Sequence, residues 1–228
     1  MNSKEKILTR IRAQKGRGPV KQEHADILGK RIEAHSRNLV PKRGQRPLEE
    51  QIDLFQSKME ALKTTVERVQ DVREIPARVQ DYLKQHNLPS RVKISPSNRI
   101  SDLPWSDIPT LDVVTGAGAE EDMIGISPAF AGIAETGTLM MASGPDTPST
   151  VNFLPENHIA ILNMADMKGS YEEAWDALRE AVGSAGMPRT VNLISGPSRT
   201  ADIEQRLIMG AHGPKRLHVI LVGDGQKT

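Results

Sequence analysis

At Pro47 the spacing of apolar residues changes character. Ahead of it they are sparse among dense charges. Behind it Leu48, Ile52, Phe55, Met59 and Leu62 recur at intervals of three and four, the spacing of a helix with one buried face. Short apolar runs then alternate with further helical patterns. Residues 66–72 read as a strand, 76–86 as a helix with Val79 and Leu83 inward, and 91–94 as a second strand, which begins a βαβ series. Residues 111–115 continue it and turn at Gly116 and Gly118. Farther on, 139–142, 158–163, 190–194 and 217–222 are apolar enough for strands, and 170–182 and 200–209 carry helical patterns. The first of these helices has its start written out: Ser170 and Glu173 form a capping box, and Gly183, Gly186 and Pro188 stop it. The chain is therefore expected to be an α/β protein, with its core beginning at residue 48.

Residues 1–47 form a basic arm. They hold 13 Lys and Arg against 4 Asp and Glu, a balance of +9; of the totals of 30 and 29, this leaves 17 against 25 in the rest, a balance of −8. Asn2 or Ser3 can cap a short helix carrying Ile7, Leu8 and Ile11, and the remainder reads as helix and extended chain lying on another surface. A basic arm can bind nucleic acid, but these residues include no Phe, Tyr or Trp on which bases could stack, so the arm is read as protein-contacting and nucleic acid is disfavoured. The sequence contains no cysteine, which excludes thiolate metal sites, disulfides and a cysteine nucleophile. No apolar run approaches the roughly 20 residues of a membrane span, so the chain is expected to be soluble and cytoplasmic, with no membrane contact.

Three loops gather small polar residues at strand ends, where open α/β sheets bind ligands. In the first, Glu135-Thr136-Gly137-Thr138, Glu135 is the sole charge between Asp122 and Asp146. A carboxylate there could act as general base or acyl-accepting nucleophile, or it could be a strand-entry glutamate bonded to backbone amides. The second, Ser195-Gly196-Pro197-Ser198-Arg199-Thr200, could cradle an anion between strand and helix, although Asp202 and Glu204 in the next turn would repel one unless Arg199 offsets them. The third places His212 between glycines, open to solvent. His158 reads as a satisfied buried histidine, and His158, His212 and His218 show no local metal-ligand spacing, so no metal and no cofactor is expected.

Taken together, residues 125–139 (GISPAFAGIAETGTL), 154–159 (LPENHI), 194–204 (ISGPSRTADIE) and 210–219 (GAHGPKRLHV) resemble the LUD domain of the lactate-utilisation protein C family. The resemblance implies an isomerase/CoA-transferase-like fold over residues 48–228, a three-layer, parallel-rich sheet with helices on both faces. It also implies membership of a bacterial three-protein system oxidising L-lactate to pyruvate, whose other two proteins carry the iron–sulfur clusters. On that basis the chain is expected to be an accessory component with a cleft for a small acid or phosphate. Glu135 is the candidate catalytic residue, and Thr136, Gly137, Thr138, Ser195, Gly196, Ser198, Arg199, Asp202, Glu204 and His212 are the candidate ligand-binding residues. The rival reading is a free-standing isomerase or transferase acting on a sugar phosphate or acyl-CoA through Glu135.

Overall fold

The computed structural model describes residues 2–16, 18, 20–200, 208–210 and 212–223, and these fall into two compact units, Met1–Leu39 and Val40–Thr228. The first unit holds helices α1 (Ser3–Gln14) and α2 (Gln22–Ala34), neither of which has a buried residue. Asn2 caps α1 reciprocally: its Oδ1 accepts from the Glu5 amide and its own amide donates to Glu5 Oε2. Among the described residues no helix is long and apolar enough to cross a membrane.

The second unit runs α3 (Leu48–Ala61), β1 (Thr65–Val69), α4 (Ile75–Gln85), β2 (Arg91–Ile94), α5 (Asn98–Ser101), β3 (Asp112–Thr115), β4 (Ile124–Pro128), β5 (Ala131–Ile133) and β6 (Thr138–Ala142). It continues α6 (Thr150–Phe153), β7 (Asn157–Asn163), β8 (Met167–Lys168), α7 (Tyr171–Val182), β9 (Val191–Ile194), β10 (Arg199–Thr200), β11 (Ile208–Met209) and β12 (Arg216–Val222). Six strands form a parallel sheet in the order β1-β12-β7-β4-β2-β3. Its middle strands bury both faces, which is why β7 and β12 are apolar almost without interruption. Ile159, Ile161, Ile220 and Val222 pack with Val79, Tyr82 and Leu83 of α4, whereas Ala160, Leu162, Val219 and Leu221 pack with Ile52, Phe55 and Met59 of α3. The alternation follows from the two-residue period of a strand.

Beside α3, a second sheet, β8-β5-β6-β9, joins that core through Leu139, Met141 and Met167. Its far side meets α7 through Ala131, Ile133, Met140, Ala174 and Leu178. Residues 139–142 and 190–194, expected as strands, belong to this second sheet, where β5 and β6 form an antiparallel hairpin. The expected helix over 200–209 is not found at its ends. Arg199 and Thr200 pair antiparallel with Met209 and Ile208, while residues 201–207 lie outside the described residues.

Residues 40–47 pack on the α/β unit, so that the compact unit begins at Val40 rather than at Leu48. The turn Lys42–Gly44 lies against the entry to α7 so closely that a Cβ on Gly169 would sit 1.8 Å from the Gly44 carbonyl oxygen. A Cβ on Gly44 would sit 2.7 Å from the Gly169 oxygen. Two backbones in contact leave no room for a side chain on either. Deleting residues 1–39 is expected to leave the thermal unfolding of the second unit unchanged, whereas deleting 1–47 lowers its midpoint; Gly169→Ala, by overpacking, should cost about 1–3 kcal/mol or more. Calorimetry of the three variants checks this, and an unperturbed midpoint for Gly169→Ala would show the contact to be loose.

Candidate functional site

Two of the three loops meet. The Ser198 amide donates to the Pro214 carbonyl (2.8 Å), the Gly210 amide to the Ser198 carbonyl (3.0 Å), and the His212 amide to Ser198 Oγ (3.3 Å). They enclose a cavity of about 290 Å³ at the amino ends of β7 and β12, completed by Asn152, Phe153, His158 and Leu217. Ser195, Gly196, Ser198, Arg199 and His212 therefore line one cavity. Arg199 is the one residue of fixed charge in its described lining, and it donates to the Leu62 carbonyl, which ties the loop to the end of α3. A guanidinium has five donors, so this bond leaves others for an anion.

The first loop lies elsewhere. Glu135 is 6% exposed, and its Oε1 accepts from the Tyr171 amide at 3.0 Å, the first residue of α7, while its Oε2 lies 3.7 Å from the Arg43 guanidinium. The carboxylate thus satisfies a helix N-terminus and faces a cation from the 42–44 turn. Gly137 has φ +64°, and a Cβ there would meet Lys58 Cβ at 2.4 Å, so it serves the hairpin turn and the close approach of α3. Thr136 and Thr138 share a hydroxyl cluster with Tyr171, and Thr138 Oγ1 is 2.7 Å from Ser195 Oγ; this is the first loop's link to the cavity. Asp202 and Glu204 lie outside the described residues.

The cavity floor is built by residues outside the three loops, Asn152 and His158 among them. His158 is buried but not satisfied: Nε2 is 2.8 Å from Ser127 Oγ, which in turn is 2.7 Å from Asn152 Oδ1, while Nδ1 has no hydrogen-bond partner among the described residues. Ser127 and His158 both stand in stretches the resemblance singled out, and that was the available signal. Burial lowers the His158 pKa to about 4. His218, stacked on Tyr82 at 4.4 Å and bonded through Nδ1 to Thr65 Oγ1, is likewise lowered to about 4, mainly by burial and further by His86.

Two expectations follow. Glu135→Ala removes a charge-assisted bond worth about 1.5–3 kcal/mol, a fall in melting temperature of roughly 3–10 °C; an unchanged melt would mean that the carboxylate caps nothing. The two histidines are neutral when folded and ordinary when unfolded, so unfolding takes up protons. Stability is full above about pH 6.5 and declines as pH falls toward 4, by about 2 kcal/mol per histidine between pH 7 and pH 5. Urea unfolding at the two pH values measures the decline, and His218→Phe should remove about half of it.

Comparison with known proteins places this geometry in context. A family model of the LUD domain matches residues 118–222. An uncharacterised protein of Neisseria meningitidis is 42% identical over 98 residues, which cover 43% of this chain and 41% of that protein. Lactate utilization protein C of Bacillus subtilis is 36% identical over 107 residues, covering 46% of this chain and 45% of that protein. The matched stretch thus spans less than half the length of these relatives. The crystal structure of a DUF162 family protein from Deinococcus radiodurans aligns over 78% of this chain and 99% of its own, with a TM-score of 0.59 and 19% identity, a likeness of fold. Residues 118–222, which include every described residue lining the cavity, match the LUD domain.

Proposed function

We propose that this chain is an accessory component of a bacterial three-protein system that oxidises L-lactate to pyruvate, and that its cavity holds a small anion. The observation carrying this reading is that the stretch matching the LUD domain, residues 118–222, holds the whole described lining of the cavity, in a chain similar over 107 residues to lactate utilization protein C. Ser195, Gly196, Ser198, Arg199 and His212 are the proposed ligand contacts, with Thr138 positioning Ser195. Thr136 and Gly137 act at one remove, through the hydroxyl cluster and the turn. A chain without cysteine would leave electron transfer to iron–sulfur partners. The cytoplasm is the expected compartment, and nucleic acid has no part in this reading.

The rival reading needs a free carboxylate at Glu135. A nucleophile must be able to reach its substrate, and the Glu135 oxygens are directed to the Tyr171 amide and to Arg43. That placement supports the accessory role and a scaffold reading of Glu135.

A strain lacking the gene is expected to lose growth on L-lactate while growing normally on pyruvate, with the iron–sulfur proteins co-purifying with the tagged wild-type chain. Arg199→Ala, which removes the fixed charge of the lining, should fold and yet fail to restore growth. Normal growth of the deletion strain on lactate would sink the proposal.

A further inference from the structure

The hydrogen bonds at the cavity floor determine which nitrogen of His158 carries the proton. A serine hydroxyl has one hydrogen. Ser127 Oγ gives it to Asn152 Oδ1 at 2.7 Å, so its 2.8 Å contact with His158 Nε2 is one in which the ring nitrogen donates. A neutral imidazole protonated on Nε2 has a lone pair on Nδ1. Nδ1 is the atom without a partner among the described residues, and the ring that carries it lines the cavity at 1% exposure. The depressed pKa of the ring keeps it in this neutral form at pH 7. Asn152, also in the lining and 5% exposed, commits its oxygen to Ser127, and its amide nitrogen makes no hydrogen bond to the described residues.

The floor thus combines a neutral acceptor with a neutral donor, below loops that supply a guanidinium. A buried acceptor left unpaired is costly, and a ligand that donates to it relieves that cost. A bare carboxylate at the same point would set lone pair against lone pair. We infer that Asn152 and His158 read a hydroxyl beside a carboxylate, so that the cavity selects small 2-hydroxy acids over the same acids without the hydroxyl. The hydroxyl donates to His158 Nδ1 and the carboxylate accepts from Asn152 Nδ2 and Arg199. Ser127 is a positioning residue, because it fixes the tautomer. The inference rests on the reading of the cavity as an anion site.

The test uses the full chain with L-lactate and propionate as probes, which differ by the one hydroxyl. Nitrogen-15 NMR of the histidine rings should show His158 protonated on Nε2 and bare on Nδ1, and calorimetric titration should show lactate binding at least about tenfold more tightly than propionate. Sites built to bond a substrate hydroxyl discriminate in this way. Ser127→Ala should redistribute the ring proton, and His158→Phe should bring the two affinities together. Equal affinity for both acids in the wild type overturns the inference and leaves the anion cavity standing. Binding of neither acid overturns the cavity reading and the inference with it. A proton on Nδ1 overturns the inference whatever binds, and that measurement needs no variant.

Discussion

Strand β12 is paired on both sides and buried on both faces, and most of the molecule takes its position from it. Residues 216–222 are each registered with β7, and 218–222 also with β1. Such a strand has to be apolar on both faces and fixed in register, since a slip of one residue would exchange its two cores. The registry sets Leu217 beside His158, and thereby fixes the cavity at the amino ends of the central strands. Open parallel sheets more often bind ligands beyond the carboxyl ends of their strands. Here the amino ends become available because the second sheet delivers the 195–199 loop to that side.

The elements legible in the sequence are those whose signals are local. Residues 91–94 form a strand with the bounds read from the pattern, and Ser170 caps α7, its Oγ accepting from the Glu173 amide. The existence of a second sheet was not legible, because a short apolar run looks the same in either sheet and the partners of residues 139–142 lie near 191–194. At the site, the convergence of the second and third loops could be read from their small polar residues. The displacement of Glu135 could not, since Arg43 and Tyr171 approach it from distant parts of the sequence. His158 was misjudged for the same reason: its bonding partner Ser127 is 31 residues away.

Buried polar groups divide accordingly into two kinds. Glu135, Asn157 and Ser170 spend their oxygen or nitrogen atoms on backbone groups that the fold would otherwise leave unpaired. These are structural obligations, since a buried amide or carbonyl without a partner is destabilising. His158, a residue of the cavity lining, retains a ring atom unpaired among the described residues. A polar atom that the fold itself leaves unsatisfied calls for an explanation outside the fold, and an incoming molecule supplies one.

The strand order also governs how the chain can be made. Among the strands of the large sheet, β12 is the last to leave the ribosome, yet it occupies the gap between β1 and β7. Neither neighbour can close that gap alone, because paired strands stand about 4.8 Å apart. The Thr65 to His218 contact, 153 residues long, forms only after residue 218 has emerged. Until then a nascent chain presents two open edges flanked by apolar side chains, a template for misassociation with its neighbours on the same polysome. Late closure of this kind makes folding slow and favours holding by chaperones during translation.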